Sequence, residues 1–170
     1  MKVNVAQLRR IEGGSERFSF SEDLPPLEMG KDRLVFQSPL ELQLDVLNTG
    51  KSLLVKGKGS TKAAVNCSRC LKEFDYNLDF DFDDEWIPSE FSSSDEGDET
   101  PLIFEKDEFE IDERIIEHLI LHLPMRFICS PDCKGLCVKC GVDLNITECD
   151  CTNEDIDPRL EILSKWNKGV

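Results

Sequence analysis

The sequence predicts an α+β protein with a curved or barrel-like antiparallel β-sheet, one packing helix and a cysteine-rich C-terminal lobe. Three observations predict this class. Several segments alternate apolar and polar residues with the two-residue period of a strand. One later segment has the apolar spacing of an amphipathic helix. Of the chain's eight cysteines, all but two lie between Cys129 and Cys151.

Length and composition indicate one core with a small appendage. The chain has 170 residues and a hydrophobic content of 39%, which suits a single core. We expect residues 1–124 to form the β-rich core, with an acidic loop at 89–100 and a helix at 112–123. We expect residues 125–170 to form the cysteine-rich lobe and a short C-terminal helix.

No stretch of the sequence approaches the ~18 apolar residues that a membrane helix requires. The chain begins with MKVNVAQLRR, which has no apolar signal segment. We therefore expect a cytoplasmic protein with no membrane partner.

The strand pattern strengthens along the chain. Residues 74–83 alternate most cleanly, with Phe, Tyr or Leu on one face and Asp or Asn on the other, which predicts a sheet with one wet face. Weaker alternation predicts the other strands at 1–8, 18–20, 34–47 with a break at Pro39, 53–65 with irregularity at Gly57 and Gly59, and 102–109.

The helix is predicted from one apolar stripe that ends before Pro124. Asp112 is a plausible N-cap. We expect His118 and His122, which flank the stripe, to be edge-of-core residues, although their spacing also suits a metal pair. We expect the acidic run Asp83–Glu85 to be a solvated strand end, although its carboxylates could also hold a cation or act as a pair. The stripe consists of Ile111, Ile115, Ile116, Leu119, Ile120 and Leu123.

The net charge of −15 is unevenly distributed. Between Glu73 and Glu117 there are 19 acidic residues and two basic ones, so this segment carries −17 and the rest of the chain +2. One interpretation is a solvated face with a mobile loop. The other is a surface that repels RNA and attracts a basic protein.

The cysteines form four short-spaced groups that suit zinc. Thiolates in such pairs converge on one ion, and four of them close a tetrahedral zinc shell. In a reducing cytosol, metal binding is favoured over the competing disulfide interpretation. We therefore expect two structural zinc ions held by Cys67, Cys70, Cys129, Cys133, Cys137, Cys140, Cys149 and Cys151.

Two groupings of these cysteines are open. In the favoured one, Cys67 and Cys70 share an ion with Cys129 and Cys133, and the remaining four form a compact local site. In the rival grouping, the four consecutive cysteines of 129–140 bind one ion and the outer four the other. Either grouping closes both shells, which leaves no open coordination position for hydrolytic chemistry. The sequence also has no phosphate loop or dinucleotide fingerprint, so we expect no small-molecule substrate.

Basic residues lie near the cysteines. They are weak candidates for contacting a nucleic-acid backbone or another partner. Alternatively, they offset the formal −2 charge of a tetrathiolate zinc site. These residues are Lys62, Arg69, Lys72, Arg126, Lys134 and Lys139.

Several motifs resemble the YceD family. The resemblance is carried by Val65-Asn66-Cys67-Ser68-Arg69-Cys70-Leu71 before an acidic aromatic strand, by Leu123-Pro124-Met125 running into Cys129, by the segment 135–145 (GLCVKCGVDLN), and by Asp157-Pro158-Arg159-Leu160 with Leu163.

The resemblance implies a function in ribosome assembly. The family is linked to accumulation of large-subunit ribosomal RNA in bacteria and plastids, and its gene commonly lies beside that of a zinc-ribbon ribosomal protein. It implies a non-catalytic factor for large-subunit biogenesis whose partner is precursor rRNA or a ribosomal protein. A redox-sensing or zinc-handling protein is the alternative, and an rRNA-processing enzyme is a weaker one.

Overall fold

The protein is described by a computed structural model that covers residues 1–29, 32–91, 102–151 and 159. The predicted C-terminal helix and most of the predicted acidic loop, from residue 92 onward, lie outside the described residues. The elements are β1 (Lys2–Asn4), a 3-10 turn (Leu8–Arg10), β2 (Ser15–Glu22), β3 (Leu27–Met29), β4 (Asp32–Phe36), β5 (Leu40–Asn48), β6 (Leu53–Asn66), β7 (Glu73–Pro88), a second 3-10 turn (Ser89–Phe91), β8 (Leu102–Phe104), β9 (Glu108–Glu110) and α1 (Asp112–His122).

The main sheet is built around the long hairpin of β6 and β7, which pair without interruption from Asn66↔Glu73 to Leu53↔Trp86. On its other side β6 pairs with β5, which in turn pairs with β2. The C-terminal end of β6 pairs with β4, and β4 pairs with β3. All of these pairs are antiparallel, but β8 joins β7 in parallel.

The sheet is open, so the expectation of a barrel-like closure is wrong. Within the described part of the chain, β2 and β3 each pair with one strand, and most of β7 has a partner on one side alone. The antiparallel class with one helix is confirmed. The two small strands β1 and β9 form a separate antiparallel ribbon.

The two faces of the sheet follow the sequence alternation. Along β5 the burial alternates strictly, with Leu40, Leu42, Leu44 and Val46 buried and the polar residues between them exposed. This alternation places one face against the core and the other in water. The same phase continues along β7, where the aromatic side chains turn inward and the acidic ones, apart from Asp84, turn outward.

Gly57 and Gly59 do not interrupt β6, as the sequence suggested they might. They lie directly opposite Phe82 and Phe80 in the register. A Cβ atom at Gly57 would lie 2.1 Å from the Phe82 ring, and one at Gly59 2.3 Å from the Phe80 ring. Each ring therefore covers the bare backbone of the glycine opposite it, which is how aromatic residues compensate for glycine in sheets.

Helix α1 packs on the inner face of β7 through Ile115 and Leu119, which are fully buried. Ile111, rather than Asp112, is the N-cap residue, and no side chain caps the helix. Asp112 lies in the first turn, where its negative charge interacts favourably with the helix dipole. None of the helices among the described residues is long and apolar enough to cross a membrane.

Other predictions differ in detail. The strand expected at 102–109 is two strands, β8 and β9, separated by a turn in which Lys106 has a φ of 59°. The short strand β3 follows Pro25 and Pro26, and the sequence analysis did not predict it. The division of the chain at residue 124 stays a prediction.

Candidate metal centres

The first cysteine cluster joins two distant parts of the chain. Cys67 and Cys70 lie in the turn between β6 and β7, and Cys129 and Cys133 lie after α1. All four sulfur atoms lie within 4.8 Å of one another. The Sγ–Sγ distances are 3.8 Å for Cys67–Cys133 and 3.7 Å for Cys70–Cys129. Four sulfurs bound tetrahedrally at the usual Zn–S length of about 2.3 Å would lie about 3.8 Å apart.

Local backbone geometry brings these sulfurs together. The turn is closed by hydrogen bonds from Leu71 N–H to Cys67 O and from Cys67 N–H to Lys72 O. Ser68 N–H donates to Phe127 O, which holds the segment after α1 against the turn. Leu71 adopts the left-handed conformation with φ 60°, and this conformation lets the chain turn back into β7.

The first cluster is mostly buried. Cys67, Cys70 and Cys133 are 0–7% exposed, and they form their own small apolar cluster with Ile128 and Leu136 beside them. Burial alone raises the pKa of a thiol. At Cys67 burial opposes ionisation, but N–H groups of Cys129, Cys70 and Arg69 outweigh it and lower the pKa to about 6. One thiolate is thus favoured at this site before any metal binds.

The second cluster is local and more exposed. Cys137, Cys140, Cys149 and Cys151 also bring their sulfurs within 4.8 Å of one another, but Cys140 and Cys151 are exposed. The N–H groups of Cys140 and Lys139 lower the pKa of Cys137 to about 6. Gly141, with φ +74°, completes this turn. The donor set, four sulfurs and no oxygen, suits zinc better than hard cations.

These two clusters correspond to the favoured grouping rather than the rival one. The eight cysteines are free thiols in the structure. Asn145, which lies in the chain between Cys140 and Cys149 of the second cluster, contacts the first: its amide Nδ2 donates to Cys133 Sγ at 3.5 Å, and its Oδ1 accepts from Lys134 N–H at 2.8 Å. Both tetrads therefore fit a metal ion, and the identity of that metal is a proposal.

The six basic candidates have different roles. The guanidinium of Arg69 points back to the chain, since its Nη1 donates to Cys133 O at 2.8 Å and Pro131 O at 3.4 Å. Arg69 therefore supports the first tetrad. Lys62 is exposed on the outer face of the sheet opposite Asn77. The remaining four are also exposed: Lys72, Arg126, Lys134 and Lys139.

A buried charge cluster was missed by the sequence analysis. Asp84 is 8% exposed, so the expectation that it lies in a solvated strand end is wrong. Its carboxylate accepts hydrogen bonds from Arg114 Nη2 at 2.6 Å and Nε at 3.2 Å, and His118 Nε2 lies 3.1 Å away. The His118 ring stacks on Phe82 with centroids 4.4 Å apart. This cluster fixes α1 to β7. The sequence indicated it in one way: Asp84 lies two residues from both Phe82 and Trp86, so the strand alternation places it on the same inward face as those side chains.

The outer face of the sheet carries a row of carboxylates along β7. Six acidic side chains point outward, and β6 places lysines opposite two of them, in the pairs Lys56↔Asp83 and Lys58↔Asp81. The Lys56 Nζ lies 3.7 Å from the Asp83 carboxylate. The acidic face is thus neutralised in part by its own sheet. The outward acids are Glu73, Asp75, Asp79, Asp81, Asp83 and Glu85.

The described residues thus define an α+β protein with an open, mostly antiparallel sheet, one helix and two tetracysteine clusters that could hold metal. Residues 55–166 match the family model described as "Large ribosomal RNA subunit accumulation protein YceD". The chain belongs to the YceD family. The match includes both cysteine clusters and all but the first two residues of the β6–β7 hairpin.

Curated relatives agree with this assignment. An uncharacterized protein of Mycobacterium tuberculosis is 28% identical over 164 residues, covering 94% of this chain and 77% of the relative. The "Large ribosomal RNA subunit accumulation protein YCED homolog 1, chloroplastic" of Arabidopsis thaliana is 27% identical over 154 residues, covering 71% of this chain and 46% of the relative. Its namesake from Zea mays is 36% identical over 50 residues, covering 29% of this chain and 17% of the relative. No solved structure matches the chain.

Proposed function

We propose that this protein is a non-catalytic factor that supports the accumulation of large-subunit ribosomal RNA. The observation that carries the proposal is the family match, which covers 112 of the 170 residues, from 55 to 166. The plant relative that aligns with 71% of this chain is also named for this role. We place this activity in the bacterial cytoplasm.

Two structural zinc ions complete the protein in this proposal, one in each tetrad. Cys67, Cys70, Cys129 and Cys133 would hold the first ion, and the ion would tie the β6–β7 hairpin to the segment after α1. The other four cysteines would hold the second ion. Four thiolates close each shell, so the metal supplies folding free energy and leaves no position for a substrate.

The direct partner in this proposal is a basic ribosomal protein. The carboxylates on the outer face of β7 favour a cationic protein over the phosphate backbone of RNA. Precursor rRNA is the second candidate, and it would use the exposed lysines near the cysteines, such as Lys72 and Lys134. The two candidates predict opposite effects of charge: neutralising β7 weakens the first interaction and strengthens the second.

The proposal is tested in a strain that lacks the gene. Ribosome profiles and precursor rRNA are measured with and without complementation by the intact gene. A specific shortage of large subunits, with normal small subunits, is expected and is corrected by the gene. A normal profile would contradict the proposal and favour a zinc-handling or redox role for the cysteines.

A further inference from the structure

Among the described residues, the edge of β7 that faces away from β6 is unpaired along most of its length. One side of the strand pairs with β6 from Glu73 to Trp86, whereas β8 covers the other side at Trp86–Pro88 alone. Among the described residues, no other backbone group bonds to this side between residues 73 and 85. Thirteen residues of strand span roughly 43 Å, and about six of them direct both N–H and C=O to the open side.

This edge lacks proline, bulges and lysines, but it carries charged side chains, namely six outward carboxylates and the inward Asp84, so it is open to a basic strand rather than to any strand. Exposed edges are commonly protected by proline, by a bulge, by lysines or by a short length. The segment 73–85 has no proline, and its register with β6 is continuous without a bulge. The opposite edge of the sheet, β2, has eight residues, and its Arg17 is already paired with Asp45 at 2.6 Å.

The charge along the open edge selects its occupant. Of the six outward carboxylates, Asp83 has an ion pair with Lys56, and the other five have no ion-pair partner among the described residues. A strand added beside β7 would lie about 4.8 Å away, and its outward side chains would be about 5 Å from these carboxylates, measured between Cβ atoms. Lys or Arg at every second position would therefore meet the five carboxylates that have no ion-pair partner among the described residues, with the neutral Asn77 and the paired Asp83 between them.

We propose that the β7 edge, at residues 73–85, binds an extended Lys/Arg-rich protein segment by strand addition. Backbone hydrogen bonds would give affinity without sequence specificity, and the alternating carboxylates would select a basic segment. The inference rests on the proposed function for the source of that segment, a basic ribosomal protein of the large subunit. An RNA strand would bring phosphates against the same carboxylates and is disfavoured.

The probe is a synthetic peptide of alternating Lys and Thr, used with the full-length, zinc-loaded protein. The control peptide has the same sequence with N-methyl groups on alternate backbone nitrogens. It keeps the charge but cannot donate the backbone hydrogen bonds that strand addition requires. Amide hydrogen exchange is followed for residues 73–85 and for β2. We expect the first peptide to slow exchange along β7 and leave β2 unchanged, and we expect the methylated peptide to have no such effect.

Charge is tested with matched variants. Asp79→Asn/Asp81→Asn removes two carboxylates from β7, and Glu41→Gln/Asp45→Asn removes two from β5 on the same face. Exposed charge pairs contribute modestly, so we expect the β7 variant to bind the peptide about threefold to tenfold more weakly and the β5 variant to change binding less than twofold. Equal losses in both variants would show that general attraction, rather than this edge, binds the peptide.

The outcomes separate this inference from the proposed function. Binding without protection of β7, equal binding of the methylated peptide, or no binding would each overturn strand addition. The ribosome profile of the deletion strain does not depend on any of these peptide measurements, so it tests the proposed function independently. A normal profile together with peptide-dependent protection of β7 would uphold the edge as a peptide-binding surface and remove the ribosomal source of its ligand.

Discussion

The two cysteine clusters should contribute unequally to stability because they close loops of very different length. The first joins Cys70 to Cys129, 59 residues apart, whereas the second is closed between Cys140 and Cys149, nine residues apart. Since loop-closure entropy grows with the logarithm of loop length, the first cross-link constrains the unfolded chain by about 1.7 kcal/mol more than the second. By the loop-length relation used for covalent cross-links, closing the first loop stabilises the folded state by about 4 kcal/mol and closing the second by about 2.6 kcal/mol.

Matched double variants measure this difference. In a protein of this size, 1 kcal/mol shifts the melting temperature by about 2–4 °C. Cys67→Ser/Cys70→Ser should therefore lower the melting temperature of the sheet by about 8–16 °C. Cys149→Ser/Cys151→Ser should lower it by about 5–10 °C at most, and by less if the loop that this cluster closes melts separately from the sheet. Melting is followed by circular dichroism, and metal content by mass spectrometry.

Metal removal supplies the control. Replacing the buried Cys67 also changes the packing around it. The difference in melting temperature between wild type and variant that persists after chelation measures this packing cost. Each variant should retain about one metal ion per chain. Equal melting shifts, a larger shift for the second pair, or loss of both ions from either variant would refute the assignment of unequal roles.

Three further outcomes are expected. Asp84→Ala should destabilise the fold by about 1–3 kcal/mol, since Arg114 and His118 lose the buried carboxylate that they share while Arg114 keeps its exposed partner Glu117. The exposed neighbour variant Asp83→Ala should change the urea midpoint little, and similar midpoints for the two would contradict the buried cluster. Gly57→Ala should lower the free energy of unfolding by about 1–3 kcal/mol, because the added methyl group overpacks against Phe82. In a double-mutant cycle, adding Phe82→Leu to the same chain should recover part of that loss. Strictly additive effects of the two substitutions would argue against the contact. Metal-free protein should release fewer than eight protons on binding two ions at pH 7, because one thiol in each cluster has a pKa of about 6 and is already ionised. The affinity should fall as pH decreases and fall more steeply below pH 6, and calorimetry in buffers of different ionisation enthalpy measures both the proton release and the slope.

The elements that the sequence predicted well are those in which a single periodicity dominates. β5 and β7 alternate over eight residues or more, and α1 has an uninterrupted apolar stripe, so burial alone determines which face turns inward. Short strands such as β3 and β8 contain three residues each. Their formation depends on a neighbouring strand, which local sequence does not specify.

The candidate site was predictable where spacing carries the chemistry. Paired cysteines indicated the tetrads, and geometry then resolved the grouping that the sequence left open. The buried role of Asp84 was not predicted because acidic residues surround it on both sides, although its alternation phase gave the correct face. The open edge of β7 was not predictable either, since a strand's neighbours are a property of the assembled sheet.

The Gly57–Phe82 and Gly59–Phe80 pairs also determine how the hairpin aligns. A shift of β7 by one residue against β6 would turn its outward carboxylates into the core, where unpaired charges are very costly. A shift by two residues keeps the faces correct, but one aromatic ring would then meet Val55 or Thr61 in place of a bare backbone. The acidic row and the two glycines thus exclude different misalignments, and together they specify one register for a hairpin whose β6 strand is otherwise rich in small residues.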